Sequence, residues 1–111
     1  MEEEIQIRLE DIMKAIDEIE EFLPVKKDFF EFKNDLKSRK AIERNIEIIG
    51  EAVSRVLNMN PDIRISNARK IVDTRNRIIH GYDTVSEDIM WAIVSKDLPK
   101  LKQEIIKLLI E

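Results

Sequence analysis

Residues 75–82 read RNRIIHGY and gather the chain's single histidine, His80, its single tyrosine, Tyr82, the arginines Arg75 and Arg77, and Asn76. These residue types suit an anion that must be gripped and a proton that must be moved. Imidazole changes charge near its unperturbed pKa of about 6.5, so His80 could serve as acid or base at neutral pH. A guanidinium stays charged and offers paired N–H groups to phosphate or carboxylate. Each residue also has a quieter explanation. A cation near a helix C-terminus is favourable whatever else it does, and a lone tyrosine often fills a core or interface with its hydroxyl bonded.

Competing chemistries lack their residues. The chain contains no cysteine, hence no thiolate nucleophile, no disulfide framework and no Cys-based zinc site, which suits a reducing cytoplasm. A Gly-rich phosphate loop, H-E-x-x-H and G-x-S-x-G are all missing from the sequence. One histidine argues against a dedicated transition-metal site. The glutamates of the first 21 residues lack the Glu-x-x-His partner of a di-metal carboxylate centre and read as solvated faces. Neither a metal nor another cofactor is expected.

The elements that must position these side chains are helical. The chain has 111 residues, enough for one core and one domain, 1–111. It is 43% hydrophobic and 38% charged with two glycines and three prolines, the balance of a mostly helical chain. Ile5, Leu9, Ile12, Ile16, Ile19 and Leu23 recur at steps of four and three, a single apolar stripe that Pro24 should stop. A second block, 28–57, repeats the pattern with Ile42, Ile46, Ile49, Val53 and Val56, with room for a short helical turn over 29–32 before it. Gly50 within that block costs about 1 kcal/mol relative to alanine, and a neighbouring helix passing close is the simplest reason to tolerate it.

Asn58, Asn60 and Pro61 break the pattern, and Ser66 is the expected N-cap of a third helix carrying Ala68, Ile71, Val72, Ile78 and Ile79. Gly81 can stop it, and Thr84 with Glu87 reads as a capping box for a fourth helix through Ile89, Ile93 and Val94. Asp97 and Pro99 then restart or kink the chain, and Leu101, Ile105 and Leu108 form the last stripe. Four or five helices with short connections predict an all-α antiparallel bundle. The acidic start is no signal sequence, and no stretch approaches the roughly 18 apolar residues of a membrane span, so a cytoplasmic location off the membrane is expected.

On the third helix, Arg75 falls at the centre of the apolar stripe. A guanidinium there must snorkel to water, pair with a carboxylate such as Glu47 or Glu51, or hold an anion. His80 follows by five residues, about 140° around a straight helix, on the polar side with Arg69, Asp73 and Asn76. One uninterrupted helix does not aim both at one point. Asn76 could hold the histidine ring, the helix end near Gly81 could swing it round, or a second subunit could close the gap.

The net charge of −4 argues against a general nucleic-acid coat. Yet Arg64, Arg69, Lys70, Arg75 and Arg77 face only Asp73 between residues 64 and 77, whereas acidic residues crowd the first 21. Arg69, Lys70 and Arg77 are therefore candidates for phosphate contact, against the blander possibility of a basic helix that balances acidic neighbours.

Arg75, four residues, His80, one residue, Tyr82 is similar to the R-x4-H-x-Y pattern of HepT-like toxins in the HEPN superfamily. AIERNIEIIGEA, residues 41–52, resembles the second-helix signature of that family, and LEDIMKAIDEIEEFL, residues 9–23, resembles its opening helix. The resemblance spans nearly the whole chain in order. It implies a HEPN-like helical homodimer with metal-independent endoribonuclease activity at a cleft on the two-fold axis. It also implies that Arg75 and His80 are the catalytic pair, with Asn76 in support. In such type VII toxin–antitoxin pairs, a minimal nucleotidyltransferase antitoxin, MntA, moves AMP from ATP to a tyrosine hydroxyl, here Tyr82, and silences the toxin.

The implied chemistry is self-consistent. Metal-free RNA cleavage needs a base for the 2′-hydroxyl, an acid for the leaving oxygen and positive charge on the phosphorane. One chain supplies one histidine, and a symmetric dimer supplies two. The rival function is a non-catalytic HEPN dimer that binds a nucleotidyltransferase, nucleotide or RNA without cutting it. A purely structural helical dimer is the third possibility.

Overall fold

Each apolar stripe needs a facing surface, and in the computed structural model the stripes close on one another into a single core cluster. The structure describes residues 2–23, 28–80 and 87–111, with Ile79 and His80 as backbone only. All regular structure among the described residues is helical: α1 (Glu3–Phe22), α2 (Phe29–Asn34), α3 (Leu36–Met59), α4 (Ala68–His80), α5 (Glu87–Ala92) and α6 (Leu98–Ile110). A π-helical turn, Ile93–Asp97, joins α5 to α6. The expected all-α bundle is what forms. No described helix is long and apolar enough to cross a membrane.

Helix α3 lies at the centre, packed against α1 on one side and α4 on the other. Its predicted stripe, Ile42, Ile46, Ile49, Val53 and Val56, is buried, as are Ile5, Leu9, Ile12, Ile16 and Ile19 of α1. The block anticipated over 28–57 divides into α2 and α3, because two aspartates compete for backbone N–H groups. Asp28 Oδ1 accepts from the Phe30 N–H at 2.8 Å, opening α2. Asp35 accepts from the Ser38 hydroxyl at 2.6 Å and the Ser38 N–H at 3.1 Å, opening α3. The Ser38 hydroxyl, then the Ser38 N–H, hold the Asp35 carboxyl below its ordinary range.

Ser66 does not cap α4. Its N–H and hydroxyl both donate to the Glu104 carboxylate of α6, at 3.1 and 3.2 Å, while the Asn67 carbonyl accepts the first helical bond from the Ile71 N–H at 3.1 Å. The charge-assisted bonds to the Glu104 carboxylate orient the Ser66 side chain toward α6, and it accepts from no N–H of the first turn of α4, so Ser66 ties α4 to α6 instead. The restart expected at Asp97 and Pro99 takes the form of the π turn. Pro99 has no N–H to donate to Ser95 and its ring crowds that carbonyl, and the Leu98 N–H reaches five residues back to the Ile93 oxygen.

The turn carries the buried Asp97 toward α4, where Asn67 Nδ2 donates to Oδ1 at 2.9 Å and Lys70 Nζ lies 2.9 Å from Oδ2. Lys70 meets Oδ2 as a charge contact without hydrogen-bond alignment. Glu87 of α5 accepts from Arg39 Nη1 of α3 at 2.8 Å. Pro24, Gly81, Tyr82 and Thr84, and with Thr84 the expected capping box, lie outside the described residues.

Candidate active site

Arg75 is set by the approach of α4 to α3, and Gly50 is what permits that approach. A Cβ built on Gly50 would overlap Arg75 Cβ, lie 2.7 Å from its Cγ and 3.3 Å from the Ile71 carbonyl oxygen. No side chain fits between these helices at residue 50. The glycine anticipated as the mark of a close neighbour therefore marks Arg75 itself, whose first side-chain carbons occupy the missing methyl's place.

Beyond those carbons the guanidinium turns toward Glu51, the next residue of α3. Arg75 Nη2 donates to Glu51 Oε2 in an ion pair, and Nη1 donates to Asn76 Oδ1 at 2.8 Å. Of the carboxylates offered by the sequence, Glu47 and Glu51, the second is the partner. Its other oxygen, Oε1, accepts from Arg55 Nε at 3.0 Å, so one carboxylate links two arginines. Among the described residues, Arg75 Nε, like Arg39 Nε, is buried without a hydrogen-bond partner. An N–H left in that state costs stability, and its burial leaves the Nη atoms as the side of the guanidinium nearer the cleft.

The same side chain borders a cleft of about 490 Å³ between α1 and α3, where Arg8, Lys14 and Glu18 face Arg44, Asn45, Ile48 and Glu51. Four cations of the lining, Arg8, Lys14, Arg44 and Arg75, meet four anions, Asp11, Glu18, Glu47 and Glu51. Balanced charge makes this a polar cleft with local grips and no uniform positive field.

The structure joins Arg75 to Asn76 and leaves Arg69 and Arg77 exposed along α4. Lys70 is exposed along its length but commits its ammonium to Asp97. Helix α4 runs unbroken through the backbone of His80, so the helix does not swing away before that residue. Five residues on one helix still separate Arg75 and His80 by about 140°. The His80 side chain, and Tyr82 altogether, lie outside the described residues.

Sequence reasoning passed over Asn45, Arg55 and the α1 side of the cleft. Asn45 is 4% exposed and donates to the Ala41 carbonyl at 3.1 Å. Its signal was available, since it interrupts the buried face between Ile42 and Ile46 with a polar group. Arg55, four residues after Glu51, is placed for an intrahelical pair that periodicity also announces. That α1 faces Arg75 across a cleft has no such local signal.

Comparison with known proteins bears on this arrangement. A family model described as ribonuclease HepT-like matches residues 12–108. A candidate RNase of Methanocaldococcus jannaschii is 35% identical over 104 residues, covering 92% of this chain and 94% of that protein. A protein of Thermococcus cleftensis named probable ribonuclease HepT is 38% identical over 104 residues, covering 90% and 91%. A second M. jannaschii protein, named as a gamma-glutamylcyclotransferase and candidate RNase, is 34% identical over 116 aligned positions, covering all of this chain and 50% of its own length. No solved structure matches the chain.

Proposed function

From a chain that belongs to the HepT-like ribonuclease family, matched over residues 12–108, we infer a metal-independent endoribonuclease that works as a symmetric pair of chains, with Arg75 and His80 as its reacting side chains. The observation that carries this is Arg75. An always-charged side chain stands on the apolar side of α4, is held at both Nη atoms, and borders the cleft between α1 and α3. A guanidinium at the edge of a cleft can grip a phosphate oxygen.

In the reaction, the 2′-hydroxyl of a ribose attacks the adjacent phosphorus, a base takes its proton, and an acid returns a proton to the departing 5′-oxygen. Arg75 stabilises the charge that gathers on the non-bridging oxygens. The attacking and leaving oxygens stand on opposite sides of the phosphorus in an in-line displacement, so one imidazole does not reach both at once. His80 from each of two chains supplies both roles, and the angular separation of Arg75 from His80 on α4 favours a site completed by the second copy. Arg69 and Arg77 extend phosphate contact along the exposed side of α4, with Lys70 joining them once released from Asp97.

Tyr82 follows His80 by two residues. As the family resemblance implies, it is the target of AMP transfer from ATP by a minimal nucleotidyltransferase of the MntA kind, the chain being the toxin of such a pair. A bulky anion on that hydroxyl would compete with RNA phosphate beside the reacting histidine.

The test is RNA cleavage by the purified chain beside His80→Ala, with intact mass recorded after co-expression with a nucleotidyltransferase and ATP. Cleavage that His80→Ala abolishes without loss of fold, and that an adduct on Tyr82 silences, is the expected result. The balanced charge of the cleft favours one other reading, a non-catalytic dimer that binds RNA or nucleotide. A well-folded dimer that retains RNA intact, with His80→Ala binding equally well, would make that the function.

A further inference from the structure

Glu51 is tied to Arg75 more closely than charge neutralisation requires. Its carboxylate is held from two sides, Oε1 by Arg55 Nε at 3.0 Å and Oε2 by Arg75 Nη2. Arg55 is on the same helix one turn on, so the carboxylate is aimed before Arg75 arrives. Gly50, beside it in sequence, removes the methyl that would push Arg75 away. With Asn76 Oδ1 on Nη1 at 2.8 Å, the guanidinium is fixed at two corners. A surface ion pair formed for stability alone has no need of this arrangement, and the Glu51 side chain, 39% exposed, gains little stability from it.

We propose that Glu51 is the positioning residue of Arg75, holding the guanidinium in one orientation at the edge of the cleft while offsetting its charge. The proposal rests on the ribonuclease reading above. Two opposite consequences follow from one carboxylate. By orienting Arg75, Glu51 raises the stabilisation available when charge gathers on the phosphorane. By offsetting Arg75's charge, it weakens attraction for the unreacted RNA, so binding energy is reserved for the transition state. Removing the charge should therefore tighten substrate binding and slow the chemical step together, a combination that loss of structure does not produce.

Glu51→Gln keeps the side chain's shape and an amide oxygen for Arg75, but removes the charge. With a fluorescent single-stranded oligoribonucleotide and the full chain, kcat should fall about 10- to 100-fold, the scale of a catalytic group loosened by roughly an ångström. KM should fall about two- to fivefold, the scale of one exposed charge removed. Arg55→Ala, which frees the far oxygen of Glu51, should lower kcat in the same direction by less. Thermal midpoints measured by circular dichroism should stay within a few degrees of wild type. An active wild type with Glu51→Gln unchanged in kcat overturns the positioning role. So does a fall in kcat with KM unchanged or raised, which would leave Glu51 a structural partner only. A wild-type chain that cleaves no RNA overturns the ribonuclease reading first, and this role with it.

Discussion

Gly50→Ala adds a single methyl group where α3 and α4 approach each other, and two opposing terms decide its effect. Alanine is favoured over glycine inside a helix by about 1 kcal/mol. Against that, the new Cβ would overlap Arg75 Cβ, lie 2.7 Å from Arg75 Cγ and 3.3 Å from the Ile71 carbonyl oxygen. Carbon atoms rest comfortably at about 3.5–4.0 Å, so α4 must retreat by roughly 1 Å at this contact. The obstructing atoms are the first two carbons of Arg75 and a backbone oxygen, none of which can swing aside like the end of a long chain. Overpacking of this kind costs about 1–3 kcal/mol. The upper part of that range applies, leaving a net loss of about 1–2 kcal/mol after the helix term is offset. Urea unfolding followed by circular dichroism reads this directly, and each 1 kcal/mol should lower the thermal midpoint by about 4–8 °C for a domain near this size. Moving Arg75 by roughly 1 Å should also cut RNA cleavage by up to about 100-fold at temperatures where the variant is folded. A Gly50→Ala protein about 1 kcal/mol more stable than wild type, with undiminished cleavage, would refute the reasoning, since only the helix term would then be acting.

Asp97→Ala should destabilise the chain by about 1–3 kcal/mol, because Asn67 Nδ2 loses its buried acceptor and Lys70 its anion, and unfolding midpoints equal to wild type would show that this cradle is idle. Asp35→Ala should weaken the start of α3 in a pH-dependent way. The Asp35 pKa is lowered in the folded chain, chiefly by Ser38, so its contribution is full above its ordinary value of 3.8 and lost as pH falls through the lower folded value. Urea midpoints of wild type and variant should thus differ near neutrality and converge in strong acid, and a gap that persists there would remove the carboxylate as the cause. For Lys102, whose pKa is raised chiefly by its hydrogen bond to Glu20, the sign reverses. Its tie between α6 and α1 should be complete below about 10.5 and fade as pH climbs past the raised value, so Lys102→Gln should match wild-type stability only in strong alkali.

Much of this molecule is legible one helix at a time. Periodicity finds α1, α3 and α4 because an apolar stripe at steps of three and four can be buried in only one way, on a side facing other stripes. The same reasoning places Arg75 on the buried side of α4 and makes it a side chain in need of a partner. It also singles out Gly50, since a glycine within a helix wants a reason. Breaks in the helices are less legible. Asp35 divides a block that periodicity runs together, because capping is a local competition for N–H groups that a hydrophobic pattern does not register. Ser66 shows the reverse, a good cap by type whose side chain is turned to Glu104, 38 residues away.

By itself, then, the sequence determines the helical class, the stripes that close the core, and the residues around RNRIIHGY able to handle phosphate and protons. The tertiary structure decides which of two glutamates meets Arg75, that Arg55 steadies the chosen one, that α1 borders the cleft beside them, and that Asp97 reaches α4 through a π turn. The physical reason is the range of each effect. Helix periodicity is set by neighbours within about two turns along the chain. A salt bridge or an orphaned N–H depends on a rotation and slide between helices of an ångström or so, which only the packed core can fix.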